Sequence, residues 1–157
     1  MRCSSSIILG AVFLLCQPAA AQSAKKHYKD SVLIAGKMKT FISDFNNLNW
    51  ESFHADFDED ISAFLESDTL TLVEGRKGVE QLFKSLFDNV RQHAPGPPYL
   101  HIVPENFLVQ VDGSTAVVTF HMTRRNAIVR RAFVWTKRNG AWRIIHINGS
   151  TVDFPKK

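Results

Sequence analysis

The polar residues most suggestive of a binding site lie near the C-terminus, in a segment with the alternation of a β-strand. His146, Asn148 and Ser150 occupy every second position. A regular strand would place them on one face, together with Trp142 and Ile144. Because apolar residues occur at both alternating sets of positions, we expect both faces to be covered. Polar side chains on a covered face cost free energy unless they are hydrogen-bonded or meet a ligand. We interpret the trio either as a polar wall that orients a ligand or as an internal hydrogen-bond ladder.

Four arginines flank a predicted turn at residues 126–127. They form two adjacent pairs, Arg124-Arg125 and Arg130-Arg131, and in a strand each pair directs one side chain to each face. A guanidinium inside a pocket could hold a carboxylate or a phosphate through two parallel hydrogen bonds. We therefore include Arg131 among the ligand-binding candidates. The alternative is a hairpin tip in solvent, or one that pairs with acidic residues of a partner.

Histidines are the next candidates for chemistry. His121 alternates with apolar residues in a predicted strand, and His54 and His101 lie in elements that could approach His146. A zinc site needs three or four ligands in a defined geometry, and the sequence contains neither an HxH nor an HExxH pattern. We therefore predict no metal and no cofactor, and we retain His121 as a ligand-binding candidate.

No side chain stands out as a general base. Acid–base catalysis needs a carboxylate or a histidine inside the pocket. The acidic run Asp56, Asp58, Glu59 and Asp60 is more typical of a solvated helix end. The catalytic residues are therefore left unassigned. The aromatic residues mostly recur at core spacing, and Trp50 is our candidate for an apolar pocket wall.

The N-terminus has the features of a cleavable secretory signal, which we assign to residues 1–21. Arg2 supplies a positive charge, an apolar run follows, and Ala19-Ala20-Ala21 provides the small residues of a cleavage site. The apolar run is shorter than the roughly 20 residues that a transmembrane helix needs. We therefore expect no stable membrane anchor, and a periplasmic or secreted protein after cleavage near Ala21.

Cleavage would also remove the two cysteines of the chain, Cys3 and Cys16. The mature chain would then have no disulfide, no thiol nucleophile and no cysteine metal ligand. The formal net charge of +4 would fall by one unit, and such a mildly basic value does not imply a nucleic-acid partner. The remaining length suffices for one core. We divide it into a flexible lead-in at 22–29, a domain at 30–153 and a basic tail at 154–157.

Hydrophobic periodicity predicts three helices before the last strands. The first apolar stripe repeats every three or four residues from Tyr28 to Leu48. A short second helix follows Asn49 and has Phe57 at the end of its apolar face. The third helix comes after residues 75–78 and has the strongest helical pattern in the chain.

A period of two predicts strands in the rest of the chain. Pro104 should bend the first long strand, and the pairs Asp112-Gly113 and Asn139-Gly140 predict hairpin turns. Two short strands surround a turn at 67–68, and four long strands follow, with the bounds 61–66, 70–74, 99–111, 114–124, 128–138 and 141–153. The sequence therefore predicts an α+β domain in which three N-terminal helices pack on one face of a strongly curved, mainly antiparallel sheet.

Three stretches of the chain resemble the nuclear transport factor 2-like superfamily, specifically its exported SnoaL-like members. Residues 49–61 are similar to the family's short helix and first strand, and residues 74–83 to its glycine-led third helix. The last hairpin, residues 133–150, resembles the family's Gly-x-Trp-x-Ile and His-x-His-x-Ser patterns, with Asn148 in place of the second histidine. The matching residues are Gly140, Trp142, Ile144, His146 and Ser150.

The resemblance implies a cone-shaped α+β barrel, with a pocket between helices and bent sheet, and a homodimer formed through the outer sheet face. The superfamily includes cyclases, ketosteroid isomerases, epoxide hydrolases, dehydratases, transport factors and kinase-assembly domains, so the fold does not determine the activity. We expect a binding domain for a small, partly apolar and anionic ligand. The alternatives are a cofactor-free isomerase, dehydratase or cyclase, and an assembly module without catalysis.

Overall fold

The computed structural model describes residues 18–65 and 72–155, with side chains from residue 26 onward. The helices in these segments are α1 (Pro18–Asn47), α2 (Trp50–Phe53) and α3 (Arg76–His93). The strands are β1 (Phe57–Phe64), β2 (Val73–Glu74), β3 (Glu105–Asp112), β4 (Thr115–Arg124), β5 (Ala127–Arg138) and β6 (Ala141–Asp153).

The described strands form one mixed sheet in the order β2-β1-β6-β5-β4-β3. Strands β1 and β6 run parallel, whereas the other neighbouring pairs are antiparallel. The sheet is curved and unclosed, and it has helices on one side. This arrangement confirms the predicted α+β architecture. We call the helix-covered face of the sheet the inner face and the opposite one the outer face.

The core lies between the helices and the inner face of the sheet. Helix α1 buries Ile34 and Met38, one turn apart. Phenylalanines from each helix then meet: the ring centroids of Phe41 and Phe53 lie 4.5 Å apart, and those of Phe53 and Phe83 lie 4.9 Å apart. Because aromatic rings bury large apolar areas, this cluster holds the three helices together over the sheet.

The predicted bounds of all three helices need correction. Helix α3 begins at Arg76, so residues 76–78, which we predicted to precede this helix, belong to it. Helix α1 begins at Pro18, so residues 22–29, which we predicted as a flexible lead-in, are helical. Its apolar stripe matches the prediction from Met38 onward, but Tyr28 is 71% exposed. Phe57 does not belong to the second helix, because α2 ends at Phe53 and Phe57 opens strand β1.

The strand predicted at 99–111 begins only at Glu105. Residues before it, including Pro104, form an irregular segment that hydrogen-bonds to helix α1 instead of to a strand. A proline has no amide hydrogen to donate to a sheet ladder, so the ladder starts after Pro104 rather than bending there. This segment forms part of the wall of the cavity described below.

Several sequence predictions fall outside the described residues. They are residues 1–17 of the signal peptide, the turn at 67–68, and Lys156 and Lys157 of the basic tail. In the part of the chain that the structure does describe, no helix has the length and apolar character needed to cross a bilayer.

Candidate functional site

The alternation of inward-facing and outward-facing side chains in strand β6 shifts by one residue half-way along the strand. Trp135 of β5 pairs with Ile144, whereas the preceding residue, Val134, pairs with His146. Ile145 therefore has no opposite partner and forms a β-bulge. Such an extra residue moves every later side chain of the strand to the opposite face.

The bulge places the polar trio on the outer face of the sheet. Trp142, before the bulge, and Ile147, after it, are both buried in the core. His146, Asn148 and Ser150 therefore point away from the core. The prediction that these three residues share a face with Trp142 and Ile144 is wrong, because it assumed a strand without a bulge.

The outer face carries most of the predicted site residues. The Nδ1 atom of His146 lies 2.9 Å from the Oγ atom of Ser62 in strand β1, within hydrogen-bonding distance. Asn148 and Ser150 are exposed and line a shallow outer groove with His121 and Arg130. Their role in ligand binding stays a prediction.

His121 has an acidic neighbour in this outer groove. Its Nε2 atom lies 3.5 Å from Oε2 of Glu105, whose other oxygen accepts a hydrogen bond of 3.1 Å from the backbone of Thr123. Hydrogen bonds from Thr123, together with the nearby imidazole, lower the pKa of the Glu105 carboxyl. At neutral pH the groove therefore pairs an ionised carboxylate with His121.

A second and largely apolar cavity lies on the inner face. It has a volume of about 450 Å³ and lies between helices α1 and α3, the segment before β3, and strands β4 to β6. Its apolar lining includes Phe45, Phe83, Leu86, Leu100, Phe120 and Phe133. Apolar walls of this kind are typical of small-molecule sites.

The polar lining of this inner cavity includes two arginines. It consists of His101, Thr123, Arg124 and Arg131 among the described residues, which contribute no carboxylate to the wall. Arg131 is the predicted site residue that the structure places here. Arg124 joins it because the β4–β5 register puts Arg124, Phe120 and Arg131 on the same side of the sheet.

Asn46 fixes the segment that carries His101. Its side-chain amide donates a hydrogen bond of 3.2 Å to the carbonyl of Ile102 and accepts one of 2.9 Å from the amide of the same residue. The backbone carbonyl of Asn46 accepts two more, from Tyr99 at 2.8 Å and Leu100 at 3.1 Å. One asparagine at the end of helix α1 therefore makes the hydrogen bonds that a neighbouring strand would otherwise make with this segment.

Comparison with known proteins agrees with the fold. Residues 34–154 match the family model of the SnoaL-like domain. The chain is a SnoaL-like domain. No curated protein matches it by sequence.

The solved structures that are similar to this SnoaL-like domain carry different functional descriptions. An NTF2-like protein of unknown function from Pseudomonas putida is 15% identical, with a TM-score of 0.67 over 78% of this chain and 87% of its own. A protein from Parabacteroides distasonis, described provisionally as a ketosteroid isomerase, is 20% identical, with a TM-score of 0.60 over 78% and 87%. The association domain of CaMKII from C. elegans is 18% identical, with a TM-score of 0.60 over 80% and 98%. At these identities the likeness concerns the fold alone.

Trp50 lies elsewhere in this SnoaL-like domain, outside the described lining of the inner cavity. Its ring packs 4.6 Å from the ring of His54 and lies 4.7 Å from the Nζ atom of Lys84. Burial lowers the pKa of His54 against the opposing effect of Glu80, whose Oε1 lies 3.8 Å from Nδ1. The rings of Trp50 and His54 therefore pack helix α2 against helix α3. A ligand role for Trp50 stays a prediction.

The four histidines considered as candidates do not converge in the SnoaL-like domain. His146 and His121 lie on the outer face, His101 lines the inner cavity and His54 lies on the flank of helix α2. Among the described residues there is no group of three or more histidine, cysteine, aspartate or glutamate side chains that could hold a metal ion.

Sequence reasoning did not select Arg124, His101 or Thr123 as site residues, although all three line the inner cavity. The alternation in strand β4 contained the signal for Arg124, since Phe120 and Met122 are buried at the two preceding even positions. His101 gave no comparable signal, because the sequence pattern predicted a strand at 99–111, whereas the structure has an irregular segment before Glu105.

Proposed function

We propose that this SnoaL-like domain binds a small, partly apolar and anionic molecule in its inner cavity. The observation that carries this proposal is the combination of an aromatic wall with Arg124 and Arg131 at one side of the same space. The apolar part of a ligand would be removed from water when it packs against the aromatic wall. Its carboxylate or phosphate would accept charge-assisted hydrogen bonds from the guanidinium groups.

The size of the cavity supports a small ligand. Its volume of about 450 Å³ lies within the range of roughly 300–1,000 Å³ that is usual for small-molecule sites. Because the described lining is aromatic and aliphatic apart from its four polar residues, the favoured ligand has one anionic group on an apolar body. A sugar or a nucleotide would leave many polar groups unpaired against this wall.

Binding is favoured over catalysis by the kinds of side chain in the cavity. A cofactor-free isomerase, dehydratase or cyclase needs a group that takes up a proton from the substrate. Within the described lining, His101 is the side chain that such an enzyme would use, and no carboxylate accompanies it. A reaction that depends on His101 would be abolished by His101→Ala, whereas simple ligand binding would be reduced only modestly.

A matched pair of ligands tests the binding proposal. We expect calorimetric titration to show that decanoate binds to the purified protein more tightly than decanol, because only the carboxylate can use the arginines. Arg131→Gln and Arg124→Gln should each lower decanoate affinity by roughly 10- to 100-fold, the usual effect of losing a hydrogen bond to a charged group, and should leave decanol binding nearly unchanged.

Arg130→Gln is the matched control for this titration. Arg130 is adjacent to Arg131 in sequence but lies on the outer face, so its loss removes the same charge without touching the inner cavity. Equal affinities for decanoate and decanol would contradict the proposal. So would an equal loss of decanoate affinity in Arg130→Gln and Arg131→Gln.

We further propose that the domain forms a homodimer through the outer face. No described element covers the centre of this face, where Thr119, Ala132 and Asn148 form one row across strands β4, β5 and β6. Leu108 and Phe64, at the two ends of that row, are 50% and 43% exposed. Structures described as a kinase association domain and a kinase hub share the fold, which supports an assembly role as the second candidate function.

We also propose that the protein is exported. The support is the sequence pattern of residues 1–21, with its positive start, apolar run and small residues before Gln22. Mass spectrometry of the protein from the producing cell should give a chain that starts at Gln22. An N-terminus at Met1 on the purified protein would contradict this proposal.

A further inference from the structure

The hairpin between strands β4 and β5 contains arginines that the fold does not use. Elsewhere, arginines act as structural donors: Arg138 contacts Asp58 at 2.7 Å, and Arg143 donates to the carbonyl of Ala55 at 2.6 Å. By contrast, the side chains of Arg124, Arg125 and Arg130 are exposed and make no hydrogen bond or ion pair with any described residue. These three cations therefore remain available to a partner.

Apolar side chains lie beside these arginines. Val152 and Phe154 are each 43% exposed. The amide of Phe154 donates a hydrogen bond of 2.7 Å to the carbonyl of Asn126 at the hairpin turn, which fixes Phe154 next to the arginines. We call Arg124, Arg125, Arg130, Val152 and Phe154 the arginine tip.

The described acidic groups near the arginine tip form no ion pair with its arginines. Asp153 pairs through its backbone with Ala127, and its exposed carboxylate forms no ion pair with the described arginines. Glu105 contacts His121 and the backbone of Thr123 instead.

The arginine tip and the inner cavity share one end of the domain. Arg124 belongs to both, since it lines the cavity and precedes the hairpin turn. The lining residues Leu86, His101 and Thr123 are exposed as well, so that the cavity reaches the surface beside the tip.

We propose that the arginine tip docks on the surface of a membrane that contains anionic lipids. Clustered cations are drawn to such a surface by its negative potential, and guanidinium groups bind lipid phosphates through two parallel hydrogen bonds. The exposed phenylalanine and valine favour a lipid surface over an acidic protein segment, because apolar side chains beside cations gain free energy by entering the headgroup region. This docking goes beyond ligand binding in the inner cavity and does not depend on it.

Vesicle co-sedimentation tests this proposal. At low salt, the purified protein should sediment with vesicles that contain one-third phosphatidylglycerol and remain in solution with pure phosphatidylcholine vesicles. Arg125→Gln/Arg130→Gln, which leaves the lining of the inner cavity intact, should lower the partition coefficient by roughly 25-fold, about fivefold for each arginine. Raising the ionic strength should release the wild-type protein, because salt screens these charges.

Two further variants separate the membrane from other polyanions. Lys29→Gln/Lys77→Gln removes the same charge at exposed positions on helices α1 and α3 and should retain nearly full vesicle binding. Phe154→Ser should weaken binding to phosphatidylglycerol vesicles but leave binding to soluble heparin unchanged.

Three results would overturn the proposal. They are no binding to phosphatidylglycerol vesicles at low salt, equal losses in the arginine and lysine double variants, or a Phe154→Ser variant that binds vesicles as well as the wild type. Decanoate titration of Phe154→Ser, whose cavity lining is intact, reports separately on the inner cavity.

Discussion

The guanidinium group of Arg131 lies against the backbone of Gly149, its cross-strand partner in the β5–β6 register. A Cβ atom built on Gly149 would come within 2.5 Å of Nη1 and 3.0 Å of Cζ of Arg131. The same Nη1 atom donates a hydrogen bond of 2.9 Å to the carbonyl of Arg130. The missing side chain at Gly149 is therefore what lets Arg131 occupy this position beside the inner cavity.

Gly149→Ala should move Arg131 without removing it. The new methyl group would push the flexible end of the arginine away from strand β6, and we expect decanoate affinity to fall by roughly tenfold, the loss of about one charge-assisted hydrogen bond. Affinity for decanol should change little. Calorimetric titration of both ligands measures this difference.

Gly36→Ala is the control for this glycine substitution. A Cβ atom at Gly36 meets nothing within 4 Å, and alanine is favoured over glycine inside a helix by roughly 0.5–1 kcal/mol. This variant should be slightly more stable and bind decanoate normally. Unchanged decanoate affinity in Gly149→Ala would show that the position of Arg131 does not matter for binding.

A second prediction concerns Asn46 and the segment that it holds. Asn46→Ala removes both side-chain hydrogen bonds to Ile102, each worth about 1 kcal/mol net, while the backbone carbonyl keeps its bonds to Tyr99 and Leu100. We expect faster amide exchange at residues 99–104 and weaker binding of decanoate and decanol alike, because the cavity wall loosens for both ligands. Hydrogen-exchange mass spectrometry measures the first effect and titration the second.

Asn47→Ala is the neighbouring control. Among the described residues, the amide of Asn47 donates to the carbonyl of Ser43 within its own helix, at 2.8 Å, so this variant should leave exchange at residues 99–104 unchanged. Loss of decanoate binding with full retention of decanol binding in Asn46→Ala would be inconsistent with a role in holding the wall.

Much of the fold follows from the sequence, because periodicity reports which side of an element is buried. The stripe from Met38 to Leu48 predicted the buried face of helix α1 correctly, and the period of two predicted strands β4 and β5. The bulge at Ile145 could not be predicted in this way, since Ile144 and Ile145 are both apolar and either could face inward. The face on which His146 lies depends on which of these two isoleucines points inward.

Long-range polar contacts could not be predicted from the sequence either. Asn46 reads as a helix-ending residue, and nothing in its neighbourhood shows that it pairs with Ile102, far along the chain. Arg131 could be assigned only as one of a pair facing opposite ways. The structure resolves that choice through the register of β4 with β5, which aligns Arg131 with the buried Phe120.

A third prediction concerns the pH dependence of folding. Burial opposes the ionisation of Asp30, but hydrogen bonds from Lys137 at 3.0 Å and from the indole of Trp142 at 3.2 Å outweigh it and lower its pKa. A carboxyl whose pKa is lowered by folding adds stability above its unfolded pKa of about 3.9. That stability is lost as the pH falls through the lower folded value.

Asp30→Asn should therefore reduce the free energy of unfolding at pH 7 by roughly 1–2 kcal/mol and flatten its decline below pH 4. Urea unfolding at several pH values measures both effects. Asp112→Asn removes an exposed carboxyl and should leave the curve close to that of the wild type. A parallel shift of the Asp30→Asn curve, with its acid limb unchanged, would contradict the assignment.

The last prediction concerns the proposed homodimer. Ala132 lies half-buried on the outer face, between Thr119 and Asn148 on the neighbouring strands. If two copies pack face to face there, Ala132→Arg places two unpaired charges inside the interface, a change that costs several kcal/mol for each buried charge. Analytical ultracentrifugation should show a dimer for the wild type and a monomer for Ala132→Arg, with an unchanged circular dichroism spectrum.

Ser85→Arg, at an exposed position on helix α3, should stay dimeric. A monomeric wild type, or a dimer that tolerates Ala132→Arg, would mean that the outer face is not the interface.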